Sequence, residues 1–151
     1  MRKPIQVLVI PYRMNTKLNC IEYCLFLRED LNVWQGIAGG VEDSESIEQA
    51  ARREMYEEGN IPYNTNLVKL SSFASMPSIN ISGTKFEKET YIVKEYSFGV
   101  CVDDAKIKIS EEHKSFKWVN YSDAMKMFEW DSNKNALWEL NERLCKNVYK
   151  F

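Results

Sequence analysis

Residues 39–61, GGVEDSESIEQAARREMYEEGNI, constrain the fold and the chemistry of this chain more than any other segment. A capping box at residues 46–49, Ser-x-x-Gln, predicts a helix that begins at about Ile47 and runs to residue 58. Projected at about 100° per residue, Ile47, Ala50 and Ala51 define the face toward the core. Three carboxylates lie on or beside that same face: Glu54, Glu57 and Glu58. The segment therefore predicts an amphipathic helix with acidic groups where apolar ones are expected.

Carboxylates on a core-facing stripe need a partner. Like charges three or four residues apart repel by roughly tenths of a kcal/mol even in water, and unpaired carboxylates that are partly buried cost several kcal/mol or stay protonated. Mg²⁺ removes the conflict, because it prefers carboxylate oxygens and keeps waters for a phosphate-bearing ligand. Gly39 and Gly40 let the backbone approach such a ligand closely. The alternative is a solvated charged helix with pairs such as Arg53–Glu57.

Composition leaves few other hydrolytic groups. A single histidine, His113, excludes an HExxH zinc helix and a relay of two histidines. Apart from one Cys-His or Ser-His pair, hydrolysis must use carboxylates. Lys plus Arg is 20 and Asp plus Glu is 22, a net charge of −2, so we expect no nucleic-acid partner.

Location is predicted from apolar runs and cysteines. No stretch approaches the roughly 18 apolar residues of a membrane span, so no membrane partner is expected. The apolar run at residues 7–10 is too short for a signal peptide. Four cysteines occur without a CxxC pair, which favours reduced thiols in a cytoplasmic protein.

The order of elements predicts a mixed α/β fold with a single domain over residues 1–151. Strands are expected at residues 5–12, 19–28, 33–35, 67–74, 90–102 and 115–119, and a mobile loop or hairpin tip at residues 75–87. Two helices close the chain, one over residues 124–128 after a Ser122 or Asp123 cap, the other from a Ser132 cap. Trp130 and Trp138 are predicted to pack these helices.

The acidic segment resembles the Nudix box, a pattern of Gly, five residues, Glu, seven residues, then Arg-Glu-apolar-x-Glu-Glu-x-Gly-apolar. These positions are held here by Gly39, Glu45, Arg53, Glu54, Met55, Glu57, Glu58 and Ile61. Asn60 replaces the last glycine, after Gly59. Because Asn is the next-best residue at a left-handed helix end, we expect a slightly altered exit and an intact site.

The resemblance implies an α/β/α sandwich with a mixed sheet and hydrolysis of a nucleoside diphosphate linked to another group, with Mg²⁺ or Mn²⁺. Glu54, Glu57 and Glu58 would bind or organise the metal, with the Gly39 carbonyl as a further ligand. Arg53 and Glu45 would pair and brace the loop onto the helix. Such metals neutralise phosphate oxygens and lower the pKa of a bound water.

Further segments are similar to one branch of the family, the bacterial dATP pyrophosphohydrolases that also act on dihydroneopterin triphosphate. They are RKPIQVLVI, Trp34-Gln35, Glu112-His113 with Lys117-Trp118, and Ser132-Asn133. In that branch the glutamate of the Glu-His pair is a proposed catalytic residue, so Glu112 is the candidate general base or an extra metal ligand. The alternative is that residues 111–114 form a polar turn.

Two weaker candidates would contact substrate. Arg28 could clamp phosphate, or form a surface ion pair with Glu29 or Asp30. Trp34 could stack on a base or pterin ring, or lie in the core.

The expected activity is cleavage of the α–β phosphoanhydride of dATP or dihydroneopterin triphosphate. Alternatives are a sugar nucleotide, a dinucleoside polyphosphate or a damaged nucleotide as substrate, or a non-catalytic nucleotide-binding module. The partner is a small nucleotide-like molecule, and oligomeric state is unknown from sequence.

Overall fold

The computed structural model describes residues 2–81, 86–102, 107–111 and 113–146. In chain order the elements are β1 (Arg2–Asn15), β2 (Cys20–Arg28), β3 (Trp34–Gln35), β4 (Ile37–Glu42), α1 (Ile47–Gly59), β5 (Leu67–Pro77), a 3₁₀ turn (Ser78–Asn80), β6 (Ile92–Cys101), β7 (His113–Asn120), α2 (Tyr121–Met127) and α3 (Asp131–Cys145). Within those ranges, the helices are too short or too polar to cross a bilayer.

The strands form one mixed sheet whose central order is β3-β2-β1-β6-β5. β1 runs parallel to β6 on one edge. On its other edge it pairs antiparallel with β4 along its first part and with β2 along its last residues. β7 extends the sheet from β2, and β5 is antiparallel to β6. This arrangement brings β4, β1 and β6 side by side in the sheet.

Helices cover both faces of the sheet. Along β1 the side chains alternate between faces, so that Val7 and Val9 join one core cluster with Met55 of α1. Leu8 and Ile10 join the other, which includes the buried leucines of α3. The predicted α/β/α sandwich with a mixed sheet is therefore confirmed.

Several predicted boundaries are wrong. The loop predicted at residues 75–87 begins too early, because residues 75–77 continue β5 by pairing with the start of β6. α2 begins at Tyr121 with Asn120 as its cap, since the Asn120 side chain accepts the Asp123 N–H at 2.8 Å. α3 begins at Asp131, so Ser132 lies inside its first turn and is not its cap.

Candidate active site

Both ends of α1 are fixed by local hydrogen bonds. The Ser46 hydroxyl accepts the Gln49 N–H and the Gln49 side chain accepts the Ser46 N–H, which confirms the predicted capping box. At the other end Asn60 adopts the left-handed conformation, with φ 59° and ψ 29°. Its N–H donates to the Tyr56 carbonyl at 3.0 Å. Asn60 therefore ends the helix in the conformation that a glycine would adopt.

An acidic cluster occupies one side of α1. One carboxylate oxygen from each of Glu54, Glu57 and Glu58 lies within 4.8 Å of the others. Glu54 and Glu58 are buried, at 8% and 7% exposure, whereas the Glu57 side chain is 51% exposed. The helical projection is thus right about Glu54 and Glu58, and Glu57 lies at the exposed border of the stripe.

The electrostatics of the acidic cluster favour a cation. Burial raises the pKa of Glu54 to about 7 against the hydrogen bond from Arg53, and the charges of Glu58 and Glu57 raise it further. Three carboxylates this close repel one another and together offer the hard oxygen donors that Mg²⁺ prefers. The residues present therefore fit a divalent metal ion.

The backbone at position 39 lies too close to the Glu54 side chain to carry a side chain of its own. A Cβ built on Gly39 would lie 2.1 Å from the Glu54 Cδ and 2.2 Å from its Oε1. No side chain fits there unless the Glu54 carboxylate moves. The Gly39 backbone on β4 therefore lies directly against the acidic cluster.

Arg53 ties the loop before α1 to the acidic cluster. Its Nε and Nη2 donate to the two oxygens of Glu45 at 2.7 and 2.9 Å, and Nη2 also donates to the Gly40 carbonyl at 2.8 Å. Its Nη1 donates to Glu54 at 2.8 Å and to Glu57 at 3.3 Å. One planar guanidinium thus holds the loop, strand β4 and two cluster carboxylates in one arrangement.

Glu58 is held from its other side. The Ser110 hydroxyl donates a short hydrogen bond to Glu58 Oε2, and His113 Nδ1 lies 3.6 Å from the same oxygen. Burial lowers the pKa of His113 to about 4, and the charge of Arg28 acts in the same direction. The imidazole is therefore neutral at physiological pH, and its approach to Glu58 is not an ion pair. Glu112, the neighbouring candidate base, lies outside the described residues.

A cavity of about 560 Å³ runs from the acidic cluster along the sheet. Glu54, Gly39, Gly40 and Arg2 line its acidic end. From Arg2 the lining continues through hydrogen bonds to Gln6 and Glu95. We call this part of the wall the far end, and it is completed by Gln35, Trp130, Ser132 and Asn133. Arg28 also lines the cavity, but its guanidinium makes two 2.7 Å hydrogen bonds to the Asp30 carboxylate. Trp34 lies outside this lining and packs against the core on the α3 side.

The family resemblance includes Gln35, Ser132 and Asn133 of the far end, but it predicts no role for them in the site. Trp130, predicted as a packing residue, is 40% exposed, and its indole N–H donates to Gln35 at 2.9 Å. Gln6 lies in the segment RKPIQVLVI without a predicted role, and Glu95 lies in none of the segments that carry the resemblance. Their signal is the two-residue period of a strand, because Gln6 lies two residues before the buried Leu8 and Glu95 lies two residues after the buried Val93.

Comparison with known proteins identifies the family. A NUDIX domain model matches residues 2–138. The chain is 26% identical over 147 residues to the dihydroneopterin triphosphate diphosphatase of Escherichia coli K12, covering 90% of this chain and 91% of that protein. It is 27% identical over 130 residues to the asymmetrical bis(5'-nucleosyl)-tetraphosphatase of Rattus norvegicus, covering 83% and 82%.

A similar solved structure supports the same family. A protein described as a NUDIX hydrolase from Listeria monocytogenes shares 40% identity, covers 99% of each chain and superposes with a TM-score of 0.87. The chain belongs to the NUDIX domain family and is a hydrolase of phosphoanhydride bonds.

Proposed function

We propose that residues 1–151 form one domain that cleaves the α–β phosphoanhydride of a nucleoside-triphosphate-like substrate, in a Mg²⁺-dependent reaction that releases a monophosphate and pyrophosphate. The observation that carries this proposal is the cluster of Glu54, Glu57 and Glu58, of which Glu54 lines one end of the cavity. The proposed substrates are dihydroneopterin triphosphate and dATP. The name of the Escherichia coli relative supports the first of them.

The metal ligands we propose are Glu54, Glu57 and Glu58, with the Gly39 carbonyl beside them. Mg²⁺ or Mn²⁺, when bound there, neutralises phosphate oxygens and lowers the pKa of a coordinated water. Arg53 orients Glu54 and Glu57, and Ser110 orients Glu58. These contacts hold the carboxylates in place before the metal binds, which lowers the cost of assembling the site.

Besides the metal ligands, hydrolysis requires a residue that binds the substrate phosphates and a general base that activates water. The Arg2 side chain is positively charged and lines the cavity, and it interacts electrostatically with Glu54. We propose that it binds a substrate phosphate, because a guanidinium matches phosphate geometry. Arg28 is the weaker candidate, since a phosphate there would compete with Asp30. Glu112 remains the proposed general base, with a box glutamate as the alternative.

The Glu57→Gln variant tests the proposed function. It removes one charge from the acidic cluster at its most exposed member, where loss of fold is least expected. Mg²⁺-dependent release of pyrophosphate from dATP and dihydroneopterin triphosphate should fall at least about 100-fold, and Mn²⁺ binding measured by electron paramagnetic resonance should weaken. Glu48→Gln is the matched control, an exposed glutamate of the same helix outside the acidic cluster.

Two results would contradict the proposal. Wild-type protein without Mg²⁺-dependent turnover of any nucleotide would overturn the activity. Full activity in Glu57→Gln would overturn the assignment of that metal ligand. A dinucleoside tetraphosphate belongs in the substrate panel as a second candidate, because the rat relative is named for that activity.

A further inference from the structure

Four strands place a row of residues in register, and this row leads from Gly40 at the acidic end of the cavity to Glu95 at the far end. Gln6 on β1 is paired with Gly40 on β4 and with Glu95 on β6, and Glu95 is paired in turn with Ala74 on β5. Residues in register project to the same face of a sheet. Gly40 leaves space in this row that the Arg2 side chain fills, since a Cβ on Gly40 would lie 2.1 Å from Arg2 Nε.

The hydrogen bonds along this row have a fixed direction from donor to acceptor. Arg2 Nη2 donates to Gln6 Oε1 at 2.9 Å. Because a guanidinium has no acceptor, this bond fixes the Gln6 amide with its NH₂ group toward β6. That NH₂ donates to Glu95 Oε2 at 2.8 Å. Glu95 Oε2 is therefore committed as an acceptor.

The other oxygen of Glu95 is buried without a hydrogen bond. Glu95 is 2% exposed and lines the cavity, and its Oε1 has no hydrogen-bond partner among the described residues. A buried acceptor without a donor costs free energy that a ligand N–H can recover. The carboxylate repels a phosphate, and its neighbours on the wall, Gln35, Ser132 and Asn133, are uncharged. This end of the cavity therefore fits the heterocycle of a substrate whose phosphates lie at the acidic end.

We propose that Glu95 selects the heterocycle, and that it favours a ring N–H beside an exocyclic amino group, the edge that guanine and pterins share, over adenine. Oε1 accepts the ring N–H, while adenine presents a ring nitrogen lone pair at that position and is repelled. The assignment of the phosphate end rests on the proposed function, whereas the pairing of Glu95 with the ring does not depend on hydrolysis.

The Glu95→Gln variant exchanges acceptor for donor at one atom. Because Gln6 anchors the Oε2 position with an N–H, the new carbonyl oxygen takes that position and the new NH₂ group takes the place of Oε1. We expect kcat/KM for dGTP to fall about 10- to 100-fold, and kcat/KM for dATP to stay constant or rise. Glu89→Gln, which removes a charge from an exposed position, should leave the dGTP to dATP ratio unchanged.

Binding of monophosphates without metal separates this inference from the proposed function. GMP should bind wild-type protein more tightly than AMP. N1-methyl-GMP lacks the ring N–H, and its affinity should be at least about tenfold lower than that of GMP. This comparison uses wild-type protein, so it stands even if Glu95→Gln fails to fold.

The outcomes are distinguishable. If dGTP and dATP are hydrolysed but neither the N1-methyl group nor Glu95→Gln changes the preference, the inference on Glu95 is wrong and the proposed function stands. If no nucleotide is hydrolysed but GMP binding depends on the ring N–H, the proposed function is wrong and the inference stands. Equal binding of GMP, N1-methyl-GMP and AMP would overturn the inference.

Discussion

Two buried carboxylates line the same cavity and have opposite surroundings. Glu54 lies between an arginine and two further carboxylates, so its environment is crowded with charge and favours a cation. Glu95 accepts a hydrogen bond from the Gln6 amide on one oxygen, and its other oxygen has no partner among the described residues, so its environment is uncharged and favours an N–H donor. One cavity can therefore separate phosphate chemistry at the acidic end from ring recognition at the far end, and each end can be altered alone.

The largest effect we expect comes from closing the space beside Glu54. Gly39→Ala should lower turnover at least about 100-fold, because the new methyl group displaces the Glu54 carboxylate by an ångström or more. Metal-free GMP binding should stay unchanged, since Glu95 is untouched. The control is Gly59→Ala, where the added Cβ would approach the flexible Ile37 Cδ1 at 3.1 Å. Loss of GMP binding together with turnover would show that the two ends are not separable.

Loss of the guanidinium fork should have the next largest effect. Arg53→Lys keeps the charge but cannot bridge Glu45, the Gly40 carbonyl and Glu54 at once. We expect turnover to fall about 10- to 100-fold and Mn²⁺ affinity to weaken. The neighbouring Arg52→Lys, whose guanidinium donates to the Tyr63 and Thr65 carbonyls, is the comparison variant. Equal losses in both variants would indicate a general effect on the helix.

These two variants act on the part of the molecule that the sequence predicts best. The acidic cluster lies within one helix, and the capping box with the 3.6-residue period places its side chains without knowledge of the rest of the fold. The far end joins residues from strands 89 positions apart, as the Gln6–Glu95 hydrogen bond shows. Its register depends on which strand pairs with β1, and periodicity along a single strand does not specify the neighbour.

A third carboxylate, Glu139, differs from Glu54 and Glu95 because both of its oxygens accept hydrogen bonds within the protein. Glu139 on α3 accepts hydrogen bonds from the Ser71 N–H, the Ser72 N–H and hydroxyl, and Arg143, at 2.6 to 2.7 Å. Glu139→Gln should lower the free energy of unfolding by about 1–3 kcal/mol in denaturant titrations, with the dGTP to dATP preference unchanged. A changed preference would contradict the assignment of ring recognition to the far end of the cavity.

The smallest effect concerns pH. Burial raises the pKa of Glu95, and the hydrogen bond from the Gln6 amide opposes the rise. A group whose pKa is higher in the folded than in the unfolded state contributes stability below its unfolded pKa, and that contribution is lost as pH rises through the folded value. The unfolding free energy of wild-type protein relative to Glu95→Gln should therefore decrease as pH rises above about 4.5. A difference that increases with pH would contradict a neutral environment for Glu95.

We place the metal at the acidic end of the cavity and the ring at the far end. Mn²⁺ titrations of wild-type protein, Glu57→Gln and Glu95→Gln, followed by electron paramagnetic resonance, test this assignment most directly. We expect Glu57→Gln to weaken Mn²⁺ binding at least about tenfold and Glu95→Gln to keep the wild-type affinity. Wild-type affinity in Glu57→Gln, or an equal loss in both variants, would contradict it.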